Sequence, residues 1–359
     1  MDAGSGHYPA RGRVIVVGSI NLDLVLRVPR LPQAGEAVTG GILDRYHGGK
    51  GANQAVAAAR SGADGHLIGA VGEDDGQESL DALAADGVEI STVARLHGQH
   101  TGHAVVIVDK GSGENQIAVA PGANAAVTAG HVRRSFGALR IAKLDVIVLS
   151  FELMDPPLLA AAAAARRAGA TLVVNPAPAR ECDSGLLRGA VLTPNWHELM
   201  ALSARRVGSG RMALREDTRG TDGTQCVNAH SPADAPAESV AEAGQQARED
   251  DGTGVAAAAS ALSGRTGGPV VATLGKRGSL LADGTTVEYF PGHLVTAHDT
   301  TGAGDTLTGV LAAGLAEGRD LRMALRRAVA AAALAVTRPG ARDGMPTAGE
   351  IDALLATGR

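Results

Sequence analysis

DTTGAGDTLTG, residues 299–309, is the stretch on which the reading of this chain turns. Gly302, Gly304 and Gly309 stand among Thr300, Thr301 and Asp305, and an apolar run of helical period continues through Leu315. The pattern describes a tight glycine turn that opens a helix near Asp305. Such a turn leaves backbone N–H groups without intrahelical acceptors, and the helix dipole adds partial positive charge, so an anion fits there. A carboxylate in a helix's first turn is ordinarily only a dipole-friendly cap. Asp305 lies inside the anion cradle instead. A carboxylate beside a phosphate-sized pocket can take a proton from a hydroxyl as its oxygen attacks, which is general-base work.

Outward from this stretch, the chain alternates short β-branched runs with helical segments. RVIVVG (13–18) reads as a buried strand, and further strands are expected at 66–72, 144–150, 171–174 and 269–274, with a strand pair over 280–289. Helices are expected at 77–86, 128–136, 156–168, 255–262, 305–317 and 321–336, and after Pro346. Strands separated by helices of this length predict a parallel sheet covered on both faces. Asn21 and Asp23 follow the first strand two positions apart, so extended backbone would aim both at one side. HGGKGANQAVAAA (47–59) is a second glycine turn feeding a helix; it is not a Walker loop, because Gly51 follows Lys50. HAVVIVD (103–109), a glycine turn and NQIAVA (115–120) read as an antiparallel hairpin. Paired with 24–28 and 37–42, it would form a small separate sheet able to act as a lid. Glu152, NPAPAR (175–180) and TPNWHE (193–198) each follow an apolar strand-like run, where open α/β sheets bind ligands.

Composition narrows the function classes. Of 359 residues 45% are hydrophobic but only 2% aromatic, so Ala, Val and Leu must fill the core, and little is left for stacking on bases. A net charge of −5 without a basic block argues against a nucleic acid partner. No apolar run reaches the roughly 18 residues of a membrane span, and a cytoplasmic protein is expected. Cys182 and Cys226 show no metal spacing. Residues 208–251 are rich in Gly, Ser, Thr, Asp and Pro and read as a flexible polar insertion, and residues 1–12 as a disordered N-terminus.

Taken in order, GSINLDL (18–24), GGKGANQAVAA (48–58), NPAPAR, TPNWHE, TLGKRG (273–278) and DTTGAGDTLTG resemble the ribokinase family of ATP-dependent sugar kinases, the phosphofructokinase-B type. The likeness runs over 13–356 apart from the insertion. It implies a three-layer α/β/α fold with a central, mostly parallel sheet and a β lid drawn from 20–48 and 93–127. The implied reaction moves the γ-phosphate of ATP to O5 of D-ribose. Asp305 matches the family's base, and the amides of Gly302, Ala303, Gly304 and Asp305 its anion hole. Asn21, Asp23, Gly49, Lys50, Gly51, Asn53 and Glu152 match sugar-binding positions. Asn195, Thr273, Leu274, Gly275, Lys276, Arg277, Gly278 and Gly304 match nucleotide contacts, and Glu198 a water-mediated Mg²⁺ contact. Asp299, Thr301, Ala335, Arg338, Gly340 and Gly344 match a site for an activating K⁺. Val329 stands where relatives often carry a polar residue near the adenine. An apolar lid face implies a homodimer joined lid to lid. Ribose, deoxyribose, another pentose or a nucleoside remain open as acceptors, as does a sugar-binding regulator without catalysis.

Overall fold

The computed structural model describes residues 11–112, 114–204 and 253–357. The expected insertion, Cys226 and residues 1–10 lie outside the described residues. Arg11 and Gly12 lie inside them, and Gly12 is no part of a loose tail: it is buried and its N–H donates to the Ala316 carbonyl at 2.9 Å.

In chain order the elements are β1 (Val14–Val17), β2 (Asn21–Val28), β3 (Ile42–Gly48), α1 (Lys50–Arg60), β4 (Gly65–Ile68), β5 (Ala70–Gly72), α2 (Gln77–Ala85), β6 (Val88–Glu89), β7 (Ala94–Leu96), β8 (Gly102–Asp109) and β9 (Asn115–Ala120). Then follow α3 (Ala129–Leu139), β10 (Val146–Ser150), α4 (Asp155–Ala168), β11 (Thr171–Asn175), α5 (Ser184–Leu187), β12 (Val191–Leu192) and α6 (Trp196–Ala204). The last are α7 (Thr253–Thr266), β13 (Val270–Thr273), β14 (Gly278–Asp283), β15 (Thr286–Pro291), α8 (Ala303–Ala316), α9 (Leu321–Ala335) and α10 (Ala348–Ala356).

Nine strands form the central sheet in the order β15-β14-β13-β12-β11-β10-β1-β4-β6. It is parallel from β6 to β13, and β14 pairs antiparallel with both β13 and the edge strand β15. Side chains alternate across a strand, so β1 feeds two cores at once. Val14 and Val16 join the layer of α1, α8 and α9, whereas Ile15 and Val17 join the layer of α3, α4 and α7. Both faces are therefore covered, and the strands read as unbroken apolar runs because neither side meets water.

The second sheet has the order β3-β2-β8-β9 and draws its strands from the two segments expected to form the lid. β8 and β9 pair antiparallel as a hairpin, and β2 runs parallel to β8. Three expectations need correction here. The strand placed at 37–42 lies instead at Ile42–Gly48, where ILDRYHG is exposed or half-buried up to Gly48 and polar enough to hide its strand character. Asn21 and Asp23 stand within lid strand β2, beyond the central sheet, though extended backbone does put them on one side. The strand expected over 66–72 is also divided, because β4 pairs with β1 and β6 while β5 leaves to pair with β7. Cys182 is half-buried against the second core layer.

Candidate active site

Where β1 ends, the chain packs glycine on glycine. A Cβ on Gly51 would stand 2.4 Å from the Gly18 carbonyl carbon, so only two glycines let the start of α1 sit on the end of the strand. Gly49 caps α1 at φ 86°, and β3 runs straight into this turn with Gly48 paired to Asn21. Lid and helix start are thus one continuous piece of chain.

Opposite α1, Gly302 (φ 76°) caps α8, which begins at Ala303, two residues earlier than expected. Asp305 is its third residue. Intrahelical bonding begins with the Thr306 N–H donating to Gly302 at 2.8 Å, which leaves the amides of Gly304 and Asp305 without an intrahelical acceptor. The Ala303 N–H is turned toward the Thr300 carbonyl at 3.4 Å, so it serves an anion less well than the next two.

Asp305 is 6% exposed, and its carboxylate is held at both oxygens. Asn53 Nδ2 donates to Oδ2 at 3.1 Å and Gln54 Nε2 to Oδ1 at 3.0 Å. Gln54 Nε2 also reaches Asn175 Oδ1 at 3.3 Å, and Asn175 Nδ2 donates to the Thr193 carbonyl at 2.8 Å. The ends of β11 and β12 thereby support the same carboxylate. Arg342 closes the cluster from the other side, its Nε donating to Asn53 Oδ1 at 3.0 Å and its Nη2 to the Gly48 carbonyl at 2.8 Å.

Glu152, just past β10, accepts the Lys50 N–H at 2.9 Å and a short hydrogen bond from Ser19 Oγ. The Lys50 ammonium is held above its ordinary range by the negative charge of Asp305 first, with Glu152 and Glu198 adding and burial opposing. Asn21 Oδ1 accepts from Asn124 Nδ2 at 2.9 Å. Burial pushes the Asp23 carboxyl up to about 6, with the charge of Glu152 adding. Its Oδ1 is buried without a hydrogen-bond partner. An unsatisfied buried acceptor is costly by itself, and it suits a ligand that brings a hydroxyl.

On the other flank, Asn195 and Glu198 bond to each other. The Asn195 N–H donates to Glu198 Oε2 at 2.8 Å, and Asn195 Oδ1 accepts the Glu198 N–H at 2.9 Å, which caps α6 reciprocally. Burial raises the Glu198 carboxyl above its ordinary range. Asn195 also bridges to Thr273, whose N–H donates to Pro194, so the stretch expected to contact nucleotide lies beside this cap. Thr273 and Leu274 are half-buried, and Gly275, Lys276 and Arg277 form an exposed helical turn before Gly278 enters β14. Val329 is 4% exposed inside the α9 core, an apolar position with a packing role.

The residues expected around a monovalent cation also converge. Asp299 accepts N–H groups from Thr301 and Gly340, each at 2.9 Å, and these bonds, with Thr301's side chain, hold its carboxyl low against burial. A Cβ on Gly344 would stand 2.3 Å from the Ala335 carbonyl oxygen and 3.3 Å from that of Gly340. Two carbonyls thus face one side-chain-free spot at the end of α9, a donor set that fits a cation. Arg338 sends its side chain to Glu350 and has only its backbone to offer. Among the described residues no three His, Cys, Asp or Glu side chains cluster as metal ligands.

The family model for pfkB family carbohydrate kinases matches residues 11–215 and 218–348. The chain belongs to this family. Ribokinase of Bacillus subtilis is 31% identical over 345 residues, covering 96% of this chain and 99% of the relative. The crystal structure of ribokinase from Thermotoga maritima superposes with a TM-score of 0.74 at 29% identity, covering 96% and 99% of the two chains. Arabidopsis thaliana ribokinase, solved with ribose and ATP, gives a TM-score of 0.72 at 26% identity and the same coverage. The protein is therefore a sugar kinase of the pfkB family with the ribokinase-like α/β fold. No helix among its described residues is long and apolar enough to cross a membrane.

For this pfkB kinase, sequence reasoning missed Gln54, Arg342, Ser19 and Asn124. Gln54 adjoins Asn53 and Ser19 lies two positions before Asn21, so a polar residue near a motif position was the available signal. Arg342 meets Asn53 across 289 positions, and Asn124 meets Asn21 across 103. No local pattern reports contacts of that separation.

Proposed function

We propose that this kinase transfers the γ-phosphoryl group of ATP to O5 of D-ribose, giving ribose 5-phosphate and ADP. The observation that carries the reading is Asp305. One carboxylate is fixed at both oxygens by Asn53 and Gln54, and it stands in the first turn of a helix whose N–H groups have no intrahelical acceptor. A carboxylate oxygen has lone-pair capacity beyond one accepted bond, so Asp305 can still take the proton of a sugar hydroxyl. As the O5–H proton passes to Asp305, O5 bonds to the γ-phosphorus. The bond to the bridging oxygen breaks, and its electron pair leaves on ADP. The amides of Gly304 and Asp305, with those of Gly302 and Ala303 beside them, stabilise charge on the transferring group.

Asn21, Asp23, Gly49, Lys50, Gly51, Asn53 and Glu152 form the sugar floor, where amides and carboxylates suit adjacent hydroxyls. Asn195 and residues 273–278 take the nucleotide. Glu198 would hold Mg²⁺ through water, and Mg²⁺ so held would neutralise phosphate charge. Asp299 and Thr301, with the carbonyls of Ala335, Arg338 and Gly340 beside Gly344, would hold K⁺ and so fix the shape of the loop before α8. These substrates imply a cytoplasmic enzyme.

The strand register puts Asp23, Val25, Val106, Ile117 and Val119 on one side of the lid. Ile117 and Val119 there are 61% and 62% exposed, and a second lid would cover them. A sedimentation profile of Ile117→Asp should show a monomer where the wild type sediments as a dimer.

ADP release with D-ribose, 2-deoxyribose, fructose and ribonucleosides, with and without Mg²⁺ and K⁺, tests the reaction. Ribose should be preferred, Mg²⁺ required, and Asp305→Asn should lose roughly 10²–10⁴-fold in kcat. An Asp305→Asn enzyme within a few-fold of wild type would remove the base, and a better acceptor than ribose would replace the substrate.

A further inference from the structure

Arg342 lies in the loop after α9, and only 5% of it is exposed. Burying a guanidinium is expensive, so its bonds should matter. Its Nε donates to Asn53 Oδ1 and its Nη2 to the Gly48 carbonyl, while Nη1 is buried without a partner. Its own carbonyl accepts from Arg60 Nη1 at 2.5 Å, and Arg60 is anchored by Asp86. The loop that carries it also packs on the start of α8, for a Cβ on Gly302 would stand 2.7 Å from the Ala341 carbonyl oxygen.

We infer that Arg342 is a positioning residue for the phosphoryl-transfer reaction: it fixes the Asn53 amide so that Nδ2, and not Oδ1, faces Asp305. This rests on Asp305 being the base. An Asn side chain has a donor end and an acceptor end of nearly equal shape, and nothing in the Asn53 side chain itself prefers one orientation. Arg342 has only donors, so the end facing it must be Oδ1. The end facing Asp305 is then the donor, and a carboxylate needs a donor. Without the guanidinium, the amide can turn its oxygen toward the carboxylate, which repels Asp305 from the transfer geometry. One residue thereby orders Asn53 and ties the turn at Gly48 to the loop beside the anion hole.

Four variants test this by initial-rate kinetics with D-ribose and ATP: Arg342→Met, Asn53→Ala, the double variant, and Arg342→Lys. Arg342→Met should lower kcat by about ten- to a hundredfold, the scale on which small misplacements act, with KM for ATP within twofold. If Arg342 acts through Asn53, the double variant should match Asn53→Ala, because there is then no amide to orient. Arg342→Lys keeps a donor-only group and should recover part of kcat. Multiplying losses in the double variant, or an unchanged kcat in Arg342→Met, would overturn the inference. Asp305→Asn runs beside them: if it retains activity, the base reading fails, whereas if it is inactive while the Arg342 and Asn53 losses multiply, only this inference fails.

Discussion

Asp305 and Gly309 lie four residues apart on α8 and so share a face, and that face rests on α1. Replacing Gly309 by Ala would place a Cβ 2.4 Å from the Gln54 carbonyl oxygen and 2.7 Å from the Ala57 Cβ. Ordinary contact begins at 3.4 Å, so the helices must part by about 3.4 − 2.4, or 1 Å. Gln54 is both the residue struck and a donor to Asp305. Its 3.0 Å bond, and the 3.1 Å bond from Asn53, would stretch toward 4 Å and cease to be hydrogen bonds. Overpacking of this kind costs about 1–3 kcal/mol, which in a chain of this size lowers Tm by roughly 1–4 °C. A displacement of about 1 Å at the reacting groups costs on the order of 100-fold in rate. We expect Gly309→Ala to remain folded at 25 °C and to lose about 100-fold in kcat, read by ADP formation with D-ribose. Gly137→Ala is the control: it sits within α3 with nothing inside 4 Å of the added Cβ, and it should be neutral or slightly stabilising. A Gly309→Ala enzyme with wild-type kcat and Tm would refute the view that the α1–α8 contact sets the position of the base.

Three further outcomes follow from the charges. Burial raises the folded-state pKa of Asp23 from 3.8 to about 6, so the native state binds its proton more tightly than the unfolded chain. Its contribution favours the fold below pH 4 and is lost as pH rises through about 6, a span worth roughly 3 kcal/mol. Urea midpoints should therefore show Asp23→Asn more stable than wild type at pH 7 and no more stable at pH 4, while its KM for ribose rises. Asp299→Asn should abolish K⁺ stimulation and leave the K⁺-free rate within a few-fold, measured by titrating KCl at constant ionic strength. Asp145 is 3% exposed and takes Arg13's backbone N–H and guanidinium, far from the kinase site. Asp145→Ala should lose roughly 2–4 kcal/mol of stability in urea unfolding with kcat unchanged.

The layered fold was legible because β-branched runs bounded by glycine can hardly be anything but buried strands, and Ala-rich segments of helical period separate them. The start of α8 was legible for a different reason: glycines beside Thr and Asp describe a turn whose geometry is set locally. β3 was not, since its residues Asp44, Arg45 and His47 belong to a lid strand that neither core claims. Its strand character comes from pairing with β2, a tertiary fact. At the site, residues inside motifs could be named and their supports could not. Gln54 in sequence is one more polar residue in an alanine-rich helix. Only the folded chain shows its amide at Asp305, with Asn175 behind it.

The supports explain a choice that the motif leaves unexplained. A carboxylate base needs its own charge steadied by donors, yet one paired directly with a guanidinium becomes a poor proton acceptor. Here both direct partners of Asp305 are neutral amides. The buried cation stands one residue back, bonded to the far end of one of those amides. Position is thus transmitted while the Arg342 guanidinium stays one amide away, and the Lys50 ammonium acts on Asp305 by its charge. A direct Arg–Asp pair would orient the carboxylate as firmly and hold it ionised, which is the wrong compromise for a group proposed to accept a proton within the transfer step. Replacing Asn53 by Asp tests this separation. It would put a second carboxylate between Arg342 and Asp305, satisfying the guanidinium more strongly while removing the donor from the base. Stability should then hold and turnover collapse. An Asn53→Asp enzyme that kept both would mean that the neutral intermediary has no part in the catalytic design.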